Sequence, residues 1–168
     1  MGDRRHTLLL LRHAKSAWPE GVADHDRPLA PRGVREAGLA GDWLRANFPG
    51  IDRVLCSTAT RARETWVRAG VDAPVRYVDR LYGVTAEEVI DEIHHVEEAV
   101  NSLLVIGHEP TISEVALRLA GAEGTDTAVV ERVSAKFPTS AIAVLRVPGR
   151  WQDLDRGGAA LVDFHVPR

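Results

Sequence analysis

The chain has 168 residues, 45% of them hydrophobic and 27% charged, with a formal net charge of -3. That length suits one domain, residues 1–168, with a core that needs no disulfide or metal to hold it together. The mildly acidic balance argues against nucleic acid or an anionic membrane as a partner.

The first residues resemble targeting signals but fail as such. Gly2 begins a myristoylation-like start, yet His6 stands where Ser or Thr is required. Arg4-Arg5 resembles a twin-arginine start, but the apolar run 8–11 is too short and Arg12 ends it. No apolar run is long enough to cross a bilayer.

Residues 7–11 predict a strand. Pro31 then opens a helix carrying Val34, Ala37, Gly41, Leu44 and Phe48 at helical spacing, and Pro49-Gly50 stops it. Residues 53–56 predict a second strand, after which Thr60 is expected to cap a helix with Ala62, Thr65, Trp66 and Ala69 on one side. A strand at 75–78 precedes a helix marked by Val89, Ile90, Ile93, Val96 and Val100. The strand 102–106 leads into a helix with Ile112, Val115, Ala116 and Leu119, Pro110 near its start and Gly121 past its end. Strands at 141–147 and 159–166 close the chain, the last after a turn at Gly157-Gly158. Strands alternating with helices read as α/β, and runs that barely alternate in polarity suit strands covered on both faces. The predicted fold is a three-layer α/β/α sandwich around a mostly parallel sheet.

Three polar clusters directly follow apolar strands, and open parallel sheets bind ligands at the carboxyl ends of their strands. Arg12-His13 follows the first strand; a histidine that merely caps a strand end is the bland alternative. Ser57 to Thr65 follows the second. Arg61 there lies in a first helical turn, where the helix dipole disfavours a cation unless an anion sits nearby. The competing reading pairs Arg61 with Glu64, and Arg63 reads as a surface residue. Gly107-His108-Glu109-Pro110 follows the strand 102–106, with Gly107 permitting close backbone approach.

LLRHAKS at 10–16, SxxxRAxET from Ser57 to Thr65, and IGHEP at 106–110 together resemble the histidine phosphatase superfamily, the phosphoglycerate-mutase-like group. Ala14 replaces the usual glycine of its Arg-His-Gly motif, a variation of the compact branch. Asp26-Arg27-Pro28-Leu29, Arg32-Gly33 and Phe137 to Ile142 are similar to that branch, the SixA type of phosphohistidine phosphatase. The resemblance implies a phosphoglycerate-mutase-like fold and His13 as a nucleophile that becomes transiently phosphorylated. It further implies Arg12, Arg61 and His108 as the phosphate pocket, with Arg27 adding a contact. It also implies that no metal or other cofactor is needed. The implied partner is a phosphohistidine protein or a small phosphorylated molecule, in the cytoplasm.

The chemistry is consistent with those roles. Neutral imidazole is a good nucleophile near pH 7 when its other nitrogen keeps the proton. Two guanidiniums and an imidazolium can stabilise phosphoryl charge. The region 79–83 holds Tyr82 and Gly83 where most of the superfamily has an acidic glutamate, and Glu87 and Glu88 are expected inside a helix. An alkyl phosphate needs such an acid to protonate its leaving alkoxide, whereas phosphohistidine leaves as a neutral ring.

Rival readings are weaker. A Cys-x5-Arg phosphatase built on Cys56 would need arginine at 62, where Ala62 stands. Cys56 is also the lone cysteine, which excludes an intrachain disulfide and a cysteine zinc cluster and suits a reducing cytoplasm. His94-His95 cannot share one helix face as a metal pair and reads as a solvated helix face. A phosphatase of nucleotides, sugar phosphates or acyl phosphates is the main enzymatic alternative. A non-catalytic phospho-ligand binding module is the other. Thr139 and Ser140 read as the start of a strand rather than as pocket rim, and His6, His25 and His165 carry no assignment.

Overall fold

The structure, a computed structural model, describes residues 6–168, so Gly2 and Arg4-Arg5 lie outside the described residues. Strand β1 (His6–Arg12) is the centre of the core, with Leu8, Leu9, Leu10 and Leu11 all fully buried. Because strand side chains alternate, Leu8 and Leu10 join one apolar layer and Leu9 and Leu11 the other. Burying each such leucine contributes roughly 1.5–3 kcal/mol relative to exposure.

Helices α1 (Pro31–Asn47) and α2 (Thr60–Ala69) cover the Leu9 side through Ala40, Leu44, Ala62 and Trp66. Helices α3 (Ala86–His94), α4 (Thr111–Leu119) and α5 (Thr127–Ala135) cover the Leu8 side. Between them lie β2 (Arg53–Ser57), β3 (Val75–Val78), β4 (Ser102–Gly107), β5 (Ile142–Val147) and β6 (Ala160–His165). The strand order is β3-β2-β4-β1-β5-β6. Neighbours from β3 to β1 run parallel, and β5 pairs antiparallel with both β1 and β6. The fold is therefore the three-layer, mostly parallel α/β/α arrangement expected. Among the described residues, no helix is long and apolar enough to cross a membrane.

Three local expectations differ. Thr60 is the first residue inside α2 rather than its cap; Ala59 holds the cap position, and its N–H donates to Ser57 Oγ at 3.2 Å. Helix α3 ends at His94, so Val96 and Val100 are buried in the turn beyond it rather than on the helical stripe. Helix α5 is not anticipated at all. Its valines are weak helix formers and only Val129 and Val133 are buried, so its periodic signal is faint. The usable sign was Asp126, whose carboxylate accepts from the N–H groups of Ala128 and Val129.

Two glycines set how closely α1 packs. A Cβ at Gly41 would run into the backbone of Ala69 at the end of α2. A Cβ at Gly33 would run into the Lys15 carbonyl, so α1 lies directly against the loop that follows β1. Gly41→Ala must spread α1 from α2. It should destabilise by about 2 kcal/mol and lower Tm by roughly 4–8 °C in calorimetry. An unchanged Tm would show that the helix crossing is not this tight.

Candidate active site

Strands β2, β4 and β1 are adjacent and parallel, with Arg12 opposite Gly107 and Cys56 opposite Ile106. Residues one step past these tips therefore share one sheet edge. His13 N–H donates to the Gly107 carbonyl at 3.0 Å, which ties the first cluster to the third. The His13 and His108 rings lie 5.0 Å apart, centroid to centroid. Arg12, His13, Arg61 and His108 line one small pocket of about 190 Å³.

His13 is 7% exposed, and its Nδ1 lies 2.7 Å from the Ala14 carbonyl. A carbonyl only accepts, so Nδ1 carries the proton and Nε2 keeps its lone pair. Burial pushes the ring down to about 3, helped by His108, Arg61 and Arg12 and opposed by the Ala14 carbonyl. The loop is held from below by buried Thr65. Its hydroxyl accepts from Ala14 N–H at 2.9 Å and donates to the Arg61 carbonyl at 2.7 Å. One α2 side chain thus sets His13 relative to Arg61.

The guanidiniums are oriented by different partners. Arg12 donates from Nη1 to the Phe137 carbonyl at 2.8 Å, while its Nε is buried with no protein acceptor. Burial lowers the Arg12 pKa, an effect that Glu109 partly offsets. Arg61 grips Asp24, from Nη1 to the carbonyl at 2.7 Å and from Nη2 to the carboxylate at 3.1 Å. It does not pair with Glu64, whose carboxylate accepts from Leu29 N–H instead. Arg63 is exposed, its guanidinium over the Tyr77 ring. Arg27 also lines the pocket, but its three nitrogens donate to Ala17 carbonyl, Asp24 Oδ1 and Ser16 Oγ. Its place is that of a strut beneath the loop.

Asp24 is the residue that sequence reasoning missed. Its carboxylate receives Tyr82 O–H at 2.6 Å, Arg27 and Arg61, and those partners hold it well below the usual carboxylate range. The available signal was its position three residues before Arg27.

His108 places Nε2 2.8 Å from Ser57 Oγ and presents its ring to the edge of Tyr82. Its Nδ1 is buried with no partner. Burial and then Arg61 push it down to about 4. The expected imidazolium is thus a neutral ring near pH 7 in this arrangement, because burial disfavours its charge and Arg61 adds to that, with Asp24 opposing. Arg12 Nε and His108 Nδ1 are thus both buried without a protein partner, on residues that line one pocket.

Most of the remaining candidates lie apart. Cys56 is buried, and desolvation pushes its thiol up to about 12, so it is not a thiolate nucleophile. His94 is half-buried on the Leu154 carbonyl, whereas His95 is exposed and hydrogen-bonds the Asp91 carbonyl, so the expected solvation holds for His95 and only in part for His94. Among the described residues, no group of three His, Cys, Asp or Glu side chains could hold a metal ion. His6 stacks on Trp151, His165 on Trp43, and His25 edge-on to Tyr82. Glu87 pairs with Arg118, and Glu88 closes a capping box with Thr85. Glu109 does reach the pocket, with both carboxylate oxygens bonded to Ser113. Thr139 lines the pocket and Ser140 turns the chain at φ 68°, so β5 starts only at Ile142. A larger groove of about 360 Å³, between Arg63, Val67 and Tyr77, contains none of the clustered groups.

Comparison with known proteins bears on the family and the fold. Residues 8–85 match the histidine phosphatase superfamily (branch 1). An uncharacterized protein of Mycobacterium tuberculosis is 66% identical over 158 residues, 94% of this chain and all of that one. A phosphohistidine phosphatase SixA homolog of Haemophilus influenzae is 30% identical over 129 residues, 68% of this chain and 77% of the relative. A solved structure from Nakamurella multipartitia, assigned to SixA, superposes with a TM-score of 0.88 at 39% identity, covering 97% of this chain and 96% of its own. Sequence and architecture thus lead to one statement: the chain belongs to the histidine phosphatase superfamily and resembles its SixA-type members.

Proposed function

We propose that residues 1–168 act as one phosphatase domain in which His13 attacks phosphohistidine on a protein, without a metal ion. The observation that carries this reading is the Nδ1–H bond from His13 to Ala14 at 2.7 Å. It leaves Nε2 as an unprotonated nitrogen, beside two guanidiniums and a second imidazole.

The reaction balances in two in-line transfers. His13 Nε2 forms a bond to phosphorus while the substrate N–P bond breaks. The departing imidazole keeps that electron pair and, already protonated on its far nitrogen, leaves neutral. Water then attacks phospho-His13, the N–P pair returns to Nε2, and inorganic phosphate and a proton are released. Arg12 Nε and the free guanidinium hydrogens of Arg61 are the donors for the equatorial oxygens. The charge of the phosphoryl group also favours a proton on His108. Arg27 would help indirectly, by holding Asp24 and the loop.

Two features favour phosphohistidine over an alkyl phosphate. Tyr82, where the superfamily glutamate is expected, turns its O–H toward Asp24. The other nearby acids are held by Arg118, Thr85 and Ser113. A pocket of about 190 Å³ also accommodates a phosphoryl group while the rest of the substrate stays outside. That arrangement suits a protein side chain reaching in.

Incubation with labelled phosphohistidine protein and rapid quenching should trap label on His13. His13→Ala should incorporate none, while Arg61→Ala should fold normally and lose about 3 kcal/mol of transition-state stabilisation, roughly a hundredfold in kcat/KM. Label retained in the His13→Ala protein would overturn the assignment. A nucleophile lowered to about 3 also predicts a flat rate of phosphoenzyme formation from pH 7.5 to 5. An imidazole of ordinary pKa would slow by about 30-fold over that range. Stability behaves differently. Both rings bind protons more readily in the unfolded chain, so stability is full above pH 6.5 and falls as pH drops toward 4. Calorimetry should show a shallower decline in His13→Gln than in the parent chain.

A further inference from the structure

We propose that the open face of the Trp18 indole is a platform for the substrate's leaving ring, making Trp18 the residue that selects substrates whose ring is planar and cationic while still bonded to phosphorus. This rests on the phosphohistidine reading above. Trp18 is 74% exposed, the most exposed of the large apolar side chains among the described residues, and it lines the same pocket as His13 and Arg61. A singly exposed tryptophan needs no explanation by itself. This one differs because it is held still at a pocket mouth.

The fixing agent is Arg27. Its guanidinium carbon lies 3.2 Å from the centre of the indole ring. Arg27 is only 7% exposed and is itself locked, with Nε on the Ala17 carbonyl, Nη1 on Asp24 and Nη2 on Ser16. One indole face is therefore covered by a rigid planar cation, and the other is left for solvent or ligand. The orienting cost that usually weakens aromatic stacking is already met in the fold.

The in-line requirement directs the leaving group to this place. The attacking nitrogen and the departing atom stand on opposite sides of phosphorus. His13 is buried at the pocket floor, so the departing ring points out of the mouth, where Lys15, Trp18 and Thr139 form the rim. The ring of phosphohistidine protonated on its far nitrogen is flat and positively charged. Tryptophan is the best aromatic face for such a cation. An acyl phosphate leaves as a carboxylate and gains nothing from an indole.

Two small substrates with the same phosphoryl group test this, phosphoimidazole and acetyl phosphate. Trp18→Ala should lose roughly ten-fold in kcat/KM for phosphoimidazole, mainly through KM, and less than two-fold for acetyl phosphate. Trp18→Phe should recover most of the loss. Equal losses on both substrates, or none on either, would overturn the platform while leaving the His13 reading intact. Parent protein that hydrolyses acetyl phosphate but neither phosphoimidazole nor phosphohistidine would remove the phosphohistidine reading, and the platform with it.

Discussion

The site depends on the register of three neighbouring parallel strands. Arg12 lies level with Gly107, Cys56 with Ile106, and His13 N–H closes on the Gly107 carbonyl. A slip of one residue in β1 would turn Leu8 to Leu11 onto the wrong faces, because side chains alternate along a strand. Four fully buried leucines with partners on both sides oppose that slip. The apolar core therefore determines where the polar groups meet. Thr65 then passes that register to α2, by joining the Ala14 amide to the Arg61 carbonyl.

Electrostatics governs the other half of the arrangement. Three guanidiniums, the Lys15 ammonium and two imidazoles line one small pocket, which would be more unfavourable still if both rings were charged. The fold resolves this by keeping both rings neutral near pH 7 through burial. It also supplies Asp24 as a counter-charge to Arg61 and Arg27 at the outer edge. Asp24 accepts one hydrogen bond from each terminal nitrogen of Arg61, and in this proposal the remaining donors of that guanidinium serve the ligand. Desolvation thus serves the proposed nucleophile: a neutral ring with a fixed tautomer needs no base to activate it.

Rim and floor divide the proposed labour. In this proposal the floor groups recognise a tetrahedral anion, which many substrates share. Discrimination has to come from what lies outside the phosphoryl group, where Lys15, Trp18 and Thr139 stand. In a chain with so small a pocket, a rigid indole is one of few features able to read a leaving group.

Much of this was legible in the residues themselves. The apolar runs and helical stripes specify layers and strand positions, since burial periodicity is a local property. The clusters at Arg12-His13, Arg61 and His108 stand out because each follows a buried strand. What the chain order could not reveal depends on groups far apart in sequence. The grip of Arg61 on Asp24 spans 37 residues and the Tyr82 bond to Asp24 spans 58, and no local pattern encodes either. Helix α5 was hidden because a half-exposed, valine-rich segment carries little periodic signal. Protonation was likewise a tertiary matter. His108 is expected as an imidazolium because of its phosphate role, and burial first, then the neighbouring guanidinium of Arg61, pushes it toward the neutral ring. Residue types, and their place directly after apolar runs, sufficed to nominate the chemistry, because both are local. Tautomer, charge state and pocket rim arise from the desolvated space that distant segments enclose together.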